Sequence, residues 1–396
     1  MNGGLSQGTE SSITAKPARL YYLDWLRVLA MFCIFFFHNA RFFDFEDWHV
    51  KNDVTSLGAD IFVGFCNQWL MPLFFILAGA AVYYSLKSRK ARAFIKERTL
   101  RILIPLVIVG YFVICPPQVY LERLTHGEFS GTFFQFYPHY FDGLYGLGGN
   151  FAWMGMHLWF LVLLFACSLV TLPFFLPRKG TGRSLSSRLA TLFEKPWTLI
   201  IPVLLFVGLE GFIDIPVKPG GWSFISYLVF FIGGYMIFSN TQIQENIKRY
   251  AVIALVTAVV LQTVEYTLWF AIKPDIPVGS PEYAGIGIMI YLRRLCWILA
   301  ILGLGSRFLN RNNRFLSYAN EAVLPFYILH QTIILSIGFY VVQWNMVIPL
   351  KYLIISTSSF AVIMAIYDLL VRRINVLRFL FGMRLKEKPK TTQQPN

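Results

Sequence analysis

Arg27 and His38 stand eleven positions apart, at the two ends of the apolar run Val28 to Phe37. On a helix that turns 100° per residue, eleven positions make three turns and about 20°, so both side chains share one face about 16 Å apart. Asp24 lies one turn before Arg27, and Arg41 one turn beyond His38. An arginine held in hydrocarbon costs roughly 2.5 to 3.5 kcal/mol, so this stripe has to face a bundle interior or a water-filled cavity. Taken singly, such a residue is explained equally well as a snorkelling arginine or as a histidine that packs two helices. The spacing argues for more. A cationic anchor with a titratable imidazole three turns away suits a long anionic donor, held by its head and worked on at its far end. Free imidazole titrates near 6.5, a value that suits either a general base for a hydroxyl or a nucleophile. Asp24 is a catalytic candidate that would orient Arg27 or neutralise it, and a simple ion pair at the helix entry explains it as well as a direct role.

Other residues qualify by type. Arg98 and Arg101, one turn apart, present planar forks that match phosphate groups, although they end a basic loop where positive charge is expected anyway. Glu321 is a catalytic candidate because ionisable groups in or near a membrane are usually functional; as an acid at a helix start it equally answers the helix dipole. The substrate-binding candidates are Arg41, His157, Trp159, Arg293, Arg294 and His330. His330 follows Pro325, which interrupts the ladder and spoils face arithmetic from Glu321; its plainer reading is a neutral core histidine bonded to a carbonyl. Arg293 and Arg294 point about 100° apart, so one can meet a substrate carboxylate while the other packs or snorkels.

These side chains need a membrane-spanning frame, and the composition provides one. The 396 residues are 56% hydrophobic, 17% aromatic and only 14% charged, too apolar for a soluble enzyme of this length. Apolar runs at roughly 20–42, 59–84, 101–119, 157–177, 197–213, 222–239, 250–272, 285–305, 317–342 and 348–371 predict an all-α bundle of about ten transmembrane helices. Alternate connections carry 26 of the 35 Lys and Arg residues and the others carry five, which predicts that both termini are cytoplasmic. The net charge of +14 is spread over helix ends and forms no basic, aromatic-interleaved domain, so nucleic acid is not an expected partner. Five cysteines at no ligand spacing predict neither a disulfide framework nor a metal site. Residues 1–18 read as a disordered N-terminus, 19–382 as one transmembrane domain and 383–396 as a basic, polar cytoplasmic tail. Aromatic residues of 42–48 and 133–159, with Asp44, Asp47, His139 and Asp142, would suit a sugar surface; an interfacial aromatic belt has the same composition.

The Arg27–His38 spacing resembles the first-helix signature of the acyltransferase 3 family. "MPLFFILAGAAVYYSLK" (71–87), "ERTLRILIP" (97–105), "HLWFLVLLF" (157–165) and "ANEAVLPFYILHQTII" (319–334) are similar to later helices of that family, and "DWHV" (47–50) points to its periplasmic-glucan succinyltransferase branch. The resemblance spans about residues 20–382. It implies a membrane acyltransferase that moves an acyl group, succinyl or acetyl, from cytoplasmic acyl-CoA to a hydroxyl of an extracytoplasmic carbohydrate, in a bacterial inner membrane and without a metal. His38 would then be the base or the carrier of an acyl-imidazole, and Arg27, Arg98 and Arg101 would bind acyl-CoA. A secondary transporter or flippase for an anionic solute or glycolipid is the alternative, since intramembrane Arg, His and Glu are ordinary equipment there too. The two halves of this chain do not correspond, which favours the enzyme.

Overall fold

Each of the ten apolar runs contains a helix in the computed structural model, which describes residues 19–177, 184–211, 218–272, 276–277 and 280–386. In chain order they are α1 (Tyr21–Ala40), α2 (Leu57–Ser88), α3 (Ala91–Thr125), a short α4 (Phe133–His139), α5 (Met156–Val170), the pair α6 (Leu185–Phe193) and α7 (Pro196–Glu210), α8 (Phe224–Ser239), α9 (Thr241–Ile272), α10 (Pro281–Phe308), α11 (Arg314–Val341), α12 (Ile348–Val371) and a short α13 (Asn375–Leu380). Among the described residues no strand occurs, only isolated bridges at 144–151 and 145–149. The frame is all-α, as expected.

The count of spans is smaller than the count of apolar runs. Seven helices are long and apolar enough to cross a membrane, and an eighth is α6 with α7 if that pair, bent by 111°, is one span. The reason is length: α5 and α8 are shorter apolar helices, and 15 or 16 residues rise only about 24 Å against roughly 30 Å of hydrocarbon. The expected disordered segment 1–18 lies outside the described residues. So do 387–396 of the expected tail; of the described part, Met383 packs against the core and residues 384–386 are exposed.

Local sequence explains most boundaries. Asn313, Asn240 and Ser280 cap α11, α9 and α10, each side chain accepting a backbone N–H two or three residues inside the helix. Helix α3 runs through Pro116-Pro117 and on to Thr125, beyond the end of the 101–119 apolar run. It is wound with five-residue hydrogen bonding over Thr99–Leu103 and Pro105–Ile114, and the four-residue ladder resumes at Cys115–Thr125. The two prolines therefore fall in the first turn of a new ladder, where their missing N–H groups have no partner to lose.

Helices α1, α2, α11 and α12 enclose the core, with α8 crossing α2 closely. That crossing requires glycine on both sides: a Cβ at Gly79 would stand 2.1 Å from the Phe231 carbonyl oxygen, and one at Gly234 would stand 2.2 Å from that of Ile76. Beyond α1 the chain folds back over the end of the bundle that holds His38. Lys51 Nζ donates to the Asp44 carboxylate at 2.6 Å and to the carbonyls of Asp44 and Arg41 at 2.7 and 2.9 Å, which fixes this loop. His49 pairs with Glu122 at the end of α3, and Tyr145 donates to the same carboxylate at 2.8 Å.

Candidate functional site: an arginine-lined cavity beneath three histidines

Helix α1 presents Arg27 and His38 to the same neighbour. Arg27 donates to Asn320 of α11 at 3.1 Å, and the His38 ring lies 5.1 Å from that of His330, three turns further along α11. Both groups of the stripe thus face α11 in the interior of the bundle.

At the Arg27 end a cavity of about 710 Å³ opens between α1, α2, α3, α5, α11 and the segment after α13. Arg19, Arg27, Arg98, Arg101, Arg378 and Arg384 line it, against one lining carboxylate, Glu321. Its inner walls are apolar, with Met31, Ile34, Phe74 and Phe160, and they end at Tyr327. Ile34 is four residues short of His38, about 6 Å along the helix.

Carboxylates at the mouth set most of the arginines. Asp24 accepts from Arg19 at 2.7 Å and from Arg27 at 3.2 Å. Glu321 accepts from Arg378 at 2.8 Å and lies 3.7 Å from Arg372, and Glu97 lies 3.5 Å from Arg101. Arg98 sits over the Phe94 ring at 5.0 Å; among the described residues neither it nor Arg384 pairs with a carboxylate. Asp24 and Glu321 accordingly hold guanidinium groups at the cavity mouth, and the structure does not bring either of them to His38.

The deep end is a row of three imidazoles. His330 lies between His38 and His157, with ring centroids 5.1 Å and 5.0 Å away. His157 Nε2 faces the carbonyls of Tyr327 and Ile328 at 3.2 and 3.3 Å, so that nitrogen carries the hydrogen, and Nδ1 accepts from the Gln118 amide at 3.2 Å. Gln118 is in turn held by Thr332 at 2.8 Å and by Gln331 at 3.0 Å. His330 Nδ1 faces the Tyr327 carbonyl at 2.6 Å and is therefore its donor, which leaves Nε2 bare, buried and without a partner. The Nδ1 of His38 is also buried and without a partner. Trp48 stacks on the other face of this region, 6.0 Å from the His38 ring. Tyr327 joins the two halves of the site: it closes the cavity, bonds the backbone carbonyl of His157 and supplies the carbonyl that orients His330. Among the described residues no group of three His, Cys, Asp or Glu is arranged to hold a metal ion.

The remaining candidates lie elsewhere. Arg41 is engaged by Asp44 and Glu46 and by the Asp47 carbonyl at 2.8 Å. Trp159 packs with Tyr227 and Phe75 at 5.2 and 6.4 Å, next to Phe160, which does line the cavity. Arg293 pairs with Glu265 across α9 and α10, and Arg294 lies over Trp222 and Tyr291 at 5.0 and 5.5 Å. None of these touches the histidine row. Conversely, sequence reasoning passed over Asn320, Tyr327, Gln118, Arg378 and Arg384. A glutamine inside an apolar run was a usable signal for Gln118; the two arginines read only as tail charge.

Comparison with known proteins finds relatives over nearly the whole chain. The family model for the acyltransferase domain, acyltransferase 3, matches residues 20–368. Proteins called glucans biosynthesis protein C from Salmonella paratyphi B, Salmonella agona and Salmonella enteritidis PT4 are each 22% identical over 393 residues, covering 93% of this chain and 96% of theirs. No solved structure matches.

Proposed function

The chain belongs to the acyltransferase 3 family, and on that premise we propose that it moves an acyl group from cytoplasmic acyl-CoA to a hydroxyl of an extracytoplasmic glycan. The observation that carries this reading is one cavity with six arginines at its mouth and an apolar throat that ends one helical turn from His38. Guanidinium forks suit the diphosphate and 3′-phosphate of CoA, and the throat suits its pantetheine arm. The excess of Lys and Arg on alternate loops supports a cytoplasmic position for the Arg27 end, the side on which acyl-CoA is made. The opposite end carries Trp48 and the 133–159 aromatics as a surface for a sugar. The relatives' name, glucans biosynthesis protein C, supports a glucan as the acceptor, and the succinyltransferase-like features support succinyl as the group moved, in a bacterial inner membrane.

His38 acts as the base. Its Nε2 takes the proton of the acceptor hydroxyl while the oxygen forms a bond to the thioester carbonyl carbon; the intermediate collapses, the C–S bond breaks, and the departing CoA thiolate takes the proton back from His38. A positioned base contributes about 10²–10⁴ in rate. The test uses protein in nanodiscs with succinyl-CoA and glucan, following thiol release and acylated glucan by mass spectrometry. His38→Ala is expected to lose at least 100-fold in turnover while still binding CoA. Turnover at the wild-type rate refutes the reading, as does CoA-independent uptake of an intact solute by vesicles.

A further inference from the structure

We propose that His330 is the positioning residue of His38, a neutral imidazole acceptor standing where many hydrolases and transferases place a carboxylate. The inference rests on the reading of His38 as a base and extends it to the group that holds the base. A histidine that collects a proton on Nε2 becomes doubly protonated, and its Nδ1–H then needs an acceptor. Among the described residues none of His38, His157 and His330 forms an ion pair, so the acceptor has to be found among neutral groups.

The charged and titratable groups facing this region are few. Arg41, just beyond α1, is engaged by Asp44 and Glu46. His49 in the following loop is engaged by Glu122 of α3. On α5, both nitrogens of His157 are committed, one to carbonyls and one to Gln118. On α11, the Tyr327 hydroxyl is committed to the His157 carbonyl. What remains is the bare Nε2 of His330, held in place because its Nδ1–H bonds the Tyr327 carbonyl at 2.6 Å. On the neighbouring ring, the Nδ1 of His38 is likewise buried and without a partner.

The separation fits. A linear N–H···N bond between two imidazoles needs two ring radii of roughly 1.2 Å plus an N···N distance of about 2.9 Å, or about 5.3 Å between centroids. The His38–His330 centroids are 5.1 Å apart, with the planes inclined at 50°. The bond requires only that the His38 ring turn about its Cβ–Cγ bond until Nδ1 faces Nε2 of His330, and the centroid separation leaves room for it. In that arrangement Nδ1–H of His38 points to Nε2 of His330, and Nε2 of His38 is bare and able to take the hydroxyl proton. The charge that develops on His38 is shared with His330, and the proton returns to the CoA thiolate when the C–S bond breaks.

The sign of the pH effect follows. An acceptor for Nδ1–H favours the protonated form of His38, so its removal lowers the pH at which the rising limb of kcat has its midpoint. His330→Leu removes the acceptor; His330→Gln restores one through its amide oxygen. With succinyl-CoA and glucan, His330→Leu is expected to lower kcat about 100-fold at neutral pH, to move the rising limb to lower pH, and to leave CoA affinity within twofold of wild type. His330→Gln is expected to recover at least tenfold of that loss. A His330→Leu protein with wild-type kcat and pH profile overturns the proposal, and so do equal losses in the Leu and Gln variants. Because either variant can fail to fold, histidine ¹⁵N NMR of the wild-type protein is a second arm: the proposal requires His38 with its hydrogen on Nδ1 and His330 with a bare Nε2, and a His38 that carries hydrogen on Nε2 alone overturns it. Wild-type turnover in His38→Ala refutes the underlying reading; a dead His38→Ala alongside a fully active His330→Leu refutes this inference alone.

Discussion

Removing Arg98 is the sharpest probe of how the cavity holds its donor. Six guanidinium groups line the cavity, and three carboxylates stand beside them, Glu321 in the lining and Asp24 and Glu97 as partners of Arg19, Arg27 and Arg101. Because Arg89 and Arg372, outside the lining, share Glu97 and Glu321, a surplus of at least three positive charges is left for a CoA that carries about three to four negative ones, a phosphate monoester contributing roughly −1.5 to −2 at neutral pH. Arg98 belongs to that surplus: its described contact is the Phe94 ring at 5.0 Å, worth about 0.5–1 kcal/mol. Arg98→Ala therefore strands no carboxylate and should shift Tm little. A hydrogen bond to a charged group contributes about 1.5–3 kcal/mol, which converts to roughly 10- to 100-fold in donor affinity. The assay is the KM for succinyl-CoA from thiol release, beside the CoA dissociation constant and Tm. Expected are KM and Kd raised together, kcat within threefold of wild type, and a weaker dependence of Kd on salt. Arg378→Ala is the contrast. Arg378 is buried, bonds Glu321 at 2.8 Å and also ties the carbonyls of Arg384 and Arg372 at 2.7 and 3.1 Å. Its loss should cost about 1–2 kcal/mol of stability, discounted because Glu321 is partly exposed, and lower Tm by several degrees. An Arg98→Ala protein with unchanged KM, or one whose kcat alone falls, refutes the assignment of this cavity to the donor's phosphates.

Two further outcomes test the other end of the site. A Cβ at Gly338 would stand 2.0 Å from Phe42 Cζ; the Phe42 ring lies edge-on to Trp48 at 4.9 Å, and Trp48 stacks on His38. Gly338→Leu, an overpacking of about 1–3 kcal/mol, should lower kcat about tenfold without changing donor KM, and an unchanged kcat would show that the Phe42–Trp48 stack does not position His38. The second outcome concerns Tyr145, half-buried in the loop that bonds Glu122: desolvation first, and then the Glu122 charge, raise its ionisation well above that of an ordinary tyrosine. The folded chain thus keeps this proton longer than the unfolded one, so the stabilisation is present at neutral pH and declines as pH rises past about 10. Tyr145→Phe should flatten the fall of Tm above that pH, and an unaltered slope would refute it.

Local periodicity made part of this legible in advance. The eleven-residue spacing put Arg27 and His38 on one face of one helix, and both indeed face α11. The apolar runs located ten helices, and the three-residue spacing of Arg98 and Arg101 marked two residues of the cavity lining. The length of each element was less secure, because Pro116-Pro117 stops a helix only if its N–H groups fall inside a continuing ladder, and here the ladder changes register at Cys115.

Relations between helices were not written in any local pattern. That His157, His330 and His38 stand in one row depends on how α1, α5 and α11 pack, which is settled by the shapes of many side chains at once, such as the glycines that let α2 and α8 touch. The tautomer of each imidazole follows from carbonyls on a different turn or a different helix. Likewise Asp24 meets Arg27, the neighbour its spacing suggested, whereas nothing local announced that Glu321, a catalytic candidate by type, would be met by Arg378 from the far end of the chain. Residue type and spacing say what a side chain can do; which other side chains it meets is a property of the folded whole.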